Sequence, residues 1–378
     1  MLKILVVFGT RPEVIKLIPV IYELRKHADK IETIICVTSQ HKEMLGDVLN
    51  LFDVKPDYDL DVMKDNQDLT NLTASIMQKL QPVVDLVRPD WFLVQGDTTT
   101  TFVSSLVAFY SKIKVAHVEA GLRTLDKYSP FPEEINRVLT SRIADIHFAP
   151  TITAKNNLIR EGITSDSIWV TGNSVVDALE LILQRLNLTN MQESFKFVDL
   201  NKKIILVTGH RRESFGDKLK NICLALKEIA RSHNDVEIVY PVHLNPNIWN
   251  PVHKILGNAK NIHLIYPLDY LSFVYLMSKA FLIVTDSGGV QEEAPSLGKY
   301  VLVMRDCTER PEGINSDIAK LVGRDKNEIR SQIEKFLNRS AIKPDEIKAK
   351  NPYGDGKASK RITDVFFKGR CDEFVKFS

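Results

Sequence analysis

Carboxylates follow strand-like segments in the first half of the chain. Asp97 and Glu119 come just after apolar runs that predict strands, and Glu133 lies in the segment SPFPEEINR (129–137). Because parallel strands end at a common edge of their sheet, we expect these side chains to share that edge. Carboxylates grouped there could exchange protons with a bound molecule. A metal site is the alternative, but no His or Cys pair has ligand spacing, so the sequence predicts an acid/base site without a metal ion.

Basic residues follow the first strand of each half of the chain. Arg11 and Lys16 come after the first strand and its glycine, and His210 and Arg211 hold the corresponding place in TGHRRESFG (208–216). A cation is disfavoured at a helix N-terminus unless an anion binds there, so the pattern favours phosphate contacts. Solvated charges, and a chance likeness between two strand-glycine turns, are the alternatives.

The turn after the first strand differs from a dinucleotide-binding loop because it has a single glycine. Thr10 and Glu13 match the S/T-x-x-E capping box, and Pro12 between them suits the first turn of a helix. We therefore expect a rigid helix start at which side chains, and not a glycine cradle, contact the phosphate.

A third turn, TDSGGVQEEAPSLG (285–298), offers groups that suit a diphosphate. Ser287, Gly288 and Gly289 provide a hydroxyl and freely oriented backbone amides at a predicted helix start. Glu292 and Glu293 are expected in the first helical turn. A carboxylate in that turn either interacts favourably with the helix dipole, with no role in binding, or binds a ribose diol.

The elements that must position these residues are predicted by continuous apolar runs, which are typical of parallel strands buried on both faces. Their alternation with amphipathic segments predicts an α/β protein with two Rossmann-like, doubly wound parallel-sheet domains facing a shared cleft. The strand candidates are residues 4–8, 32–38, 91–95, 114–118, 146–150, 168–172, 203–209, 237–242, 262–267, 281–286 and 300–304. We place an N-terminal domain at 1–180, a linker at 181–202, a second domain at 203–356 and a C-terminal helix within 357–378.

Composition limits the classes of function. The chain has 378 residues, with 50 Lys and Arg against 48 Asp and Glu, so the balance argues against nucleic-acid or membrane-surface binding. The four cysteines are scattered without paired spacing, which indicates free thiols. With no apolar leader and no long apolar run at the sequence level, we expect a cytoplasmic protein.

Ten segments in order resemble the non-hydrolysing UDP-N-acetylglucosamine 2-epimerases. They are FGTRPEVIK, QHKEML, GDTTTTF, HVEAGLRT, YSPFPEE, TGHRRESFG, YPVHLNPN, TDSGGVQEEAPSLGK, RDCTERPEG and NPYGDG. The resemblance implies a glycosyltransferase-B-like fold whose C-terminal helix crosses back to the first domain, a homodimer, and no metal or nicotinamide cofactor. It implies a UDP-sugar substrate, epimerised at C2 by elimination of UDP to 2-acetamidoglucal and re-addition. The product would supply N-acetylmannosamine units for surface polysaccharides.

The resemblance also implies roles for individual residues. Asp97 and Glu133 would be the acid/base pair, with Glu119 orienting or sharing a proton. The residues expected to bind substrate, with His210 also counted as catalytic, are Arg11, Lys16, Arg137, His210, Phe273 beside uracil, Ser287, Gly288, Gly289, and Glu293 on the ribose.

Allosteric activation by the substrate is a further feature of bacterial members. The matching positions here are Gln40, Gln67, Arg211 and His243, whereas Glu43 and Asn66 depart from the pattern, so this control stays open.

Three other functions remain alternatives. A hydrolysing epimerase would release UDP and free N-acetylmannosamine, a glycosyltransferase of the same fold would need an acceptor site, and a nucleotide-sugar sensor would not need the acidic trio.

Overall fold

The computed structural model describes residues 1–39, 42–63, 67–187, 189–209, 211, 215–338 and 343–374. The chain divides into two compact units. Unit 1 runs from Met1 to Glu180 and resumes at Tyr353, and unit 2 runs from Leu181 to Pro352. In the described part of the chain, no helix is long and apolar enough to cross a bilayer.

Unit 1 is built on a parallel sheet of seven strands in the order β3-β2-β1-β4-β5-β6-β7. The strands are β1 Leu2–Phe8, β2 Ile31–Val37, β3 Tyr58–Asp59, β4 Trp91–Gln95, β5 Lys114–Val118, β6 Ile146–Ala149 and β7 Ile168–Val170. Its helices are α1 Arg11–Arg25, α2 Lys42–Leu51, α3 Leu69–Val87, α4 Thr99–Tyr110, α5 Glu133–Ile143, α6 Ile152–Arg160, α7 Ser174–Leu186 and, far along the chain, α15 Ala358–Lys368. The order of the strands reverses between β1 and β4, the position where ligands of such sheets bind.

Unit 2 repeats the architecture with six parallel strands in the order β10-β9-β8-β11-β12-β13. The strands are β8 Lys203–Thr208, β9 Val236–Pro241, β10 Ile262–Ile265, β11 Leu282–Thr285, β12 Val301–Val303 and β13 Ala319–Leu321. The helices are α8 Asp217–Ser232, α9 Pro246–Leu256, α10 Tyr270–Lys279, α11 Gly288–Glu293, α12 Pro311–Asn315, α13 Lys326–Asn338 and α14 Pro344–Lys350.

The central strands explain the continuous apolar runs. Every side chain from Ile4 to Phe8 in β1 is fully buried, because helices cover both faces of the sheet. All the predicted strands are present, with small shifts at their ends. The short edge strands β3 and β13 were not predicted, because two or three residues carry too little apolar signal.

The C-terminal helix belongs to unit 1, where it packs on α1. Asp177 in α7 accepts hydrogen bonds from the backbone N–H groups of Ser359 (2.9 Å) and Ala358 (3.2 Å), which caps the start of α15. Phe366 packs edge-on against Trp91 at 5.5 Å between ring centroids. Residues 181–186, placed in a linker on sequence grounds, form the last turns of α7.

Candidate active site

Two neighbouring strands of unit 1 end in left-handed turns that present carboxylates. Gly96 follows β4 with φ +74°, and its N–H donates to the carbonyl of Val118 at 3.0 Å. Glu119 follows β5 with φ +64°, a conformation that costs a residue other than glycine about 1–3 kcal/mol. The backbone therefore brings the turn that carries Asp97 beside the one that carries Glu119, at the predicted edge of the sheet.

Glu119 is held by a buried cation. The Lys16 ammonium, on α1, lies 2.6 Å from both oxygens of the Glu119 carboxylate, and the Gln95 amide donates a further hydrogen bond. Lys16 and Glu119 are both buried. A residue predicted to bind diphosphate thus neutralises a residue predicted to be catalytic, a pairing that the sequence did not indicate.

Asp97 is held from α5. Nη2 of Arg137 lies 3.0 Å from Oδ2 of Asp97, and the Asn136 side-chain amide donates to the Asp97 carbonyl at 2.9 Å. Arg137 is buried, whereas a third of the Asp97 side chain is exposed (33%). The carboxylate is therefore oriented by a fixed guanidinium and still accessible to a ligand.

The two glutamates that begin α5 have different environments. Glu134 is buried, and one of its oxygens accepts the backbone N–H groups of Thr124 and Leu125, each at 3.0 Å. Glu133 is half-buried at the first position of the helix. Glu134 thus orders the loop before the helix, whereas Glu133 keeps more of its side chain exposed.

The threonines of GDTTTTF have a role that sequence reasoning missed. Thr98 and Thr101 donate to one oxygen of Glu13 at 2.7 and 3.1 Å, and the N–H groups of Gly9 and Thr10 donate to the other at 3.0 and 2.7 Å. Burial raises the pKa of Glu13, although these hydrogen bonds lower it in part. The glutamate half of the predicted capping box is present, and it also ties the start of α1 to the start of α4.

Arg11 begins α1 directly after this turn and is half-buried. Its position at the positive end of the helix agrees with the sequence prediction.

In unit 2, the turn after β11 leads into the short helix α11. Ser287 is its N-cap residue, and the Ser287 N–H donates to Oγ1 of Thr285 at 2.9 Å. The expectation that Glu292 and Glu293 lie in the first helical turn is wrong, because α11 starts at Gly288 and no acidic residue falls in that turn. The positions of these two carboxylates are therefore not explained by a favourable interaction with the helix dipole.

Glu293 and Phe273 are instead linked through α10. The hydroxyl of Tyr270 donates to Glu293 at 2.9 Å, and Phe273 lies one turn further along the same helix, half-buried. Residues three apart on a helix share a face. The structure thus connects the predicted ribose-binding carboxylate to the helix that carries the predicted uracil neighbour.

A buried ion-pair network lies beneath α11, and we call it the Glu309 network; it comprises Glu309, Arg305, Arg310, Glu292 and Arg211. Arg310 Nε donates to Glu292 at 2.6 Å, Arg305 donates to Glu309 at 2.7 Å, and Arg310 also bonds to Glu309. Nη2 of Arg211 lies 3.8 Å from Glu309. Burial by itself would raise the pKa of Glu309, but the guanidinium groups outweigh it and hold the pKa well below the usual range.

Gly288 lies in close contact with the Arg310 guanidinium of this network. A Cβ atom at Gly288 would stand 2.5 Å from Nη1 of Arg310, so a larger residue there would displace the guanidinium, which ion pairs to Glu292 and Glu309 hold in place. At Gly289 the nearest atom would be 4.0 Å away. Sequence reasoning assigned both glycines to freely oriented amides, and for Gly288 the structure adds this steric reason.

Arg211 is tied to the turn that precedes Ser287. Its N–H donates to Oδ2 of Asp286 and its Nε donates to the Asp286 carbonyl, both at 3.0 Å. Its neighbour His210 lies outside the described residues.

Two of the remaining predicted effector positions, Gln67 and His243, are among the described residues. His243 follows β9, is exposed, and accepts the Asn245 N–H at 3.1 Å. Gln67 precedes α3 and is half-buried. Gln40 and Asn66, and the side chain of Glu43, lie outside the described residues.

Within the described ranges, no group of three His, Cys, Asp or Glu side chains could hold a metal ion. The four cysteines are free, and Cys307 is exposed.

Comparison with known proteins gives consistent matches over nearly the whole chain. The family model for UDP-N-acetylglucosamine 2-epimerase matches residues 23–366. A UDP-N-acetylglucosamine 2-epimerase of Yersinia pestis is 54% identical over 366 residues, 96% of this chain and 97% of that one. The crystal structure of UDP-GlcNAc 2-epimerase from Neisseria meningitidis bound to UDP-GlcNAc has 50% identity and a TM-score of 0.91, covering 97% of this chain and 100% of that chain. The S. aureus MnaA-UDP co-structure has 42% identity and a TM-score of 0.90, covering 100% of each chain. These likenesses confirm the predicted fold class, two parallel-sheet α/β domains of the glycosyltransferase-B-like type.

Proposed function

The chain belongs to the UDP-N-acetylglucosamine 2-epimerase family, and on that premise we propose that it interconverts UDP-N-acetylglucosamine and UDP-N-acetylmannosamine. The proposed route is elimination followed by re-addition. A base removes the proton from C2 while the bond from C1 to UDP breaks, which gives 2-acetamidoglucal and UDP. UDP then returns to C1 while an acid delivers a proton to the opposite face of C2.

The observation that carries this proposal is the acidic edge of unit 1. Asp97 is oriented by the buried Arg137 and keeps a third of its side chain exposed, so it can contact a ligand while its ion pair with Arg137 stays intact. We assign Asp97 and Glu133 as the acid/base pair. Glu119, neutralised by Lys16, orients the pair or shares its proton.

The UDP portion is assigned to the end of β11 and the start of α11. The Ser287 hydroxyl and the amides of Gly288 and Gly289 suit a diphosphate, and Glu293, bonded to Tyr270, suits the ribose diol. By the family resemblance, Arg11 and His210 would add positive charge as UDP departs, since fixed cations favour charge that develops during bond breaking, whereas the charge of Lys16 is already matched by Glu119. The Neisseria meningitidis relative is described with UDP-GlcNAc bound and the S. aureus relative with UDP, which supports this choice of ligand.

Incubation with UDP-N-acetylglucosamine in heavy water tests the reaction, with the sugar followed by NMR. Epimerisation by this route predicts deuterium at C2 of both UDP-linked epimers. Free N-acetylmannosamine appearing in step with UDP would show a hydrolysing enzyme instead. No turnover would favour a glycosyltransferase or a sensor.

Asp97→Asn tests the assignment of the catalytic group. We expect loss of epimerisation with UDP affinity retained, because Asp97 has no assigned part in holding UDP. Asp90→Asn is the matched control: Asp90 precedes the same strand at its other end and accepts the Lys3 N–H at 2.7 Å. Loss of both activity and UDP affinity in Asp97→Asn would make Asp97 structural.

We also propose that the enzyme is a homodimer whose product supplies N-acetylmannosamine units for surface polysaccharides. A row of exposed apolar side chains along α5 and the loop before it supports self-association: Tyr128, Phe131, Ile135 and Leu139. Sedimentation velocity should give a dimer for the wild type and a monomer for Leu139→Lys. A monomeric wild type would refute the dimer.

A further inference from the structure

We propose that His117 is a positioning residue for Asp97, holding the carbonyl of Gly96 and so orienting the backbone that presents the carboxylate. This inference rests on the proposed function, in which Asp97 is catalytic. His117 lies on β5, fully buried, and its Nε2 is 2.7 Å from the Gly96 carbonyl oxygen. Because a carbonyl oxygen can only accept, Nε2 must carry the hydrogen.

The bond acts at a glycine, whose backbone can adopt more conformations than that of other residues. Gly96 has φ +74°, and a Cβ placed there would meet nothing within 4 Å among the described residues, so steric crowding at that position does not fix its conformation. The peptide plane between Gly96 and Asp97 contains the Gly96 carbonyl. The His117 hydrogen bond therefore orients the plane from which the Asp97 side chain departs.

The other contacts of this turn restrain different atoms. The Gly96 N–H donates to Val118, the Asp97 carbonyl accepts from Asn136, and the Asp97 carboxylate pairs with Arg137. Without His117, the peptide plane between Gly96 and Asp97 could tilt while those three contacts adjust. A tilt of this kind moves the carboxylate relative to C2 of the sugar.

A purely structural role for a buried histidine is the alternative explanation. An apolar side chain would fill the same space without burying ring nitrogens, and Nδ1 of His117 meets no hydrogen-bonding partner within the described part of the chain. Burial lowers the pKa of His117 to about 3, so the ring is neutral and keeps one donor at working pH. Burying the ring nitrogens costs free energy, and the hydrogen bond to Gly96 gives a reason for a histidine at this position.

His147 provides a matched control within the same sheet. It lies on β6 in register with His117, is equally buried, and its Nε2 is 2.9 Å from the Ser141 carbonyl. Its Nδ1 likewise has no hydrogen-bonding partner among the described residues. His147 therefore makes the same kind of bond, but to Ser141, one turn beyond Arg137 in α5, so it can reach the Asp97 turn only through that helix, whereas His117 bonds to the turn directly.

The experiment compares His117→Phe, His117→Gln and His147→Phe by steady-state epimerisation, UDP binding by calorimetry, and circular dichroism. We expect His117→Phe to lower kcat by roughly ten- to a hundredfold, since a misplacement of about 1 Å can cost about a hundredfold. KM and UDP affinity should stay at the wild-type level. His117→Gln, whose amide can donate from a similar position, should recover most of kcat, and His147→Phe should keep it.

Equal losses in the two Phe variants, or no loss in His117→Phe, would overturn the positioning role. Should His117→Phe fail to fold, His117→Gln is compared with His117→Met, which has a similar length and no donor; equal kcat values would then overturn it. A wild type that incorporates no deuterium at C2 would refute the proposed function, a different outcome from any of these.

Discussion

Replacing Glu309 by glutamine removes the charge at the centre of the Glu309 network while keeping the shape of the side chain. Glu309 is only 5% exposed, and its two oxygens accept from Arg305 and Arg310. The substitution removes an anion that compensates two buried guanidinium groups, of which Arg310 keeps its pairing with Glu292.

The size of the effect follows from burial and charge. Opposite charges about 4 Å apart attract by about 4 kcal/mol in an effective dielectric of about 20, and the desolvation of each ion offsets much of this. Removing one partner of a buried pair typically costs about 3–5 kcal/mol, because the other partner stays buried and unpaired. Since glutamine can still accept one hydrogen bond, we expect Glu309→Gln to lower the free energy of unfolding of unit 2 by about 3 kcal/mol.

Urea denaturation with tryptophan fluorescence can isolate unit 2. Of the three tryptophans, Trp91 and Trp169 lie in unit 1 and Trp249 lies in unit 2, packed against its core. A background in which Trp91 and Trp169 are replaced by phenylalanine reports on unit 2 alone. The free energy of unfolding of unit 2 should be measured for Glu309→Gln and for its parent over a range of pH at constant salt.

The pH dependence has a definite sign. The pKa of Glu309 in the folded state lies below the ordinary value of 4.5, so its stabilisation is complete above 4.5 and is lost as pH falls towards the folded value. The difference in unfolding free energy between parent and variant should therefore be constant around neutral pH and become smaller in acid. Equal unfolding free energies at neutral pH, or a gap that widens in acid, would refute this account of the network.

Glu228→Gln is the control for this experiment. Glu228 also pairs with two cations of unit 2, Lys326 and Arg330, but at the surface. Water and salt screen such a pair, so this variant should unfold like its parent.

Gly288→Ala should destabilise unit 2 by about 1–3 kcal/mol in the same urea assay, because the new methyl group would overlap the Arg310 guanidinium. Gly289→Ala has room for its Cβ and should differ little; equal effects at both positions would contradict the steric argument. Thr98→Ala should lower the free energy of unfolding by about 1–2 kcal/mol, and with it the melting temperature, since Thr98 both caps α4 and donates to Glu13. Thr98→Ser keeps the hydroxyl and should restore stability; a serine variant no better than alanine would assign the effect to the methyl group.

The fold was predictable because its signals are local. Continuous apolar runs indicated every strand except the short β3 and β13, and the strand–helix alternation indicated two parallel sheets. The helix start at Ser287 to Gly289 was predicted correctly, but Glu292 and Glu293 lie beyond its first turn and not within it.

The candidate site was predictable in part. Residue type and position at strand ends singled out Asp97, Glu119 and Lys16, because the carboxyl edge of a parallel sheet is where ligands bind. The partners of these groups were not evident. Lys16 pairs with Glu119 across 103 positions of sequence, and no pattern along the chain distinguishes that partner from the other carboxylates.

The sequence alone determined the class of fold, the location of the acidic and basic turns and the family, because each depends on short segments and their order. Tertiary structure alone decided which charges are buried together, which threonines donate hydrogen bonds to Glu13, and that a side chain at Gly288 would meet the Arg310 guanidinium. Such pairings depend on distances between segments far apart in the chain. Burial then makes them strong, because a charge removed from water requires a fixed partner.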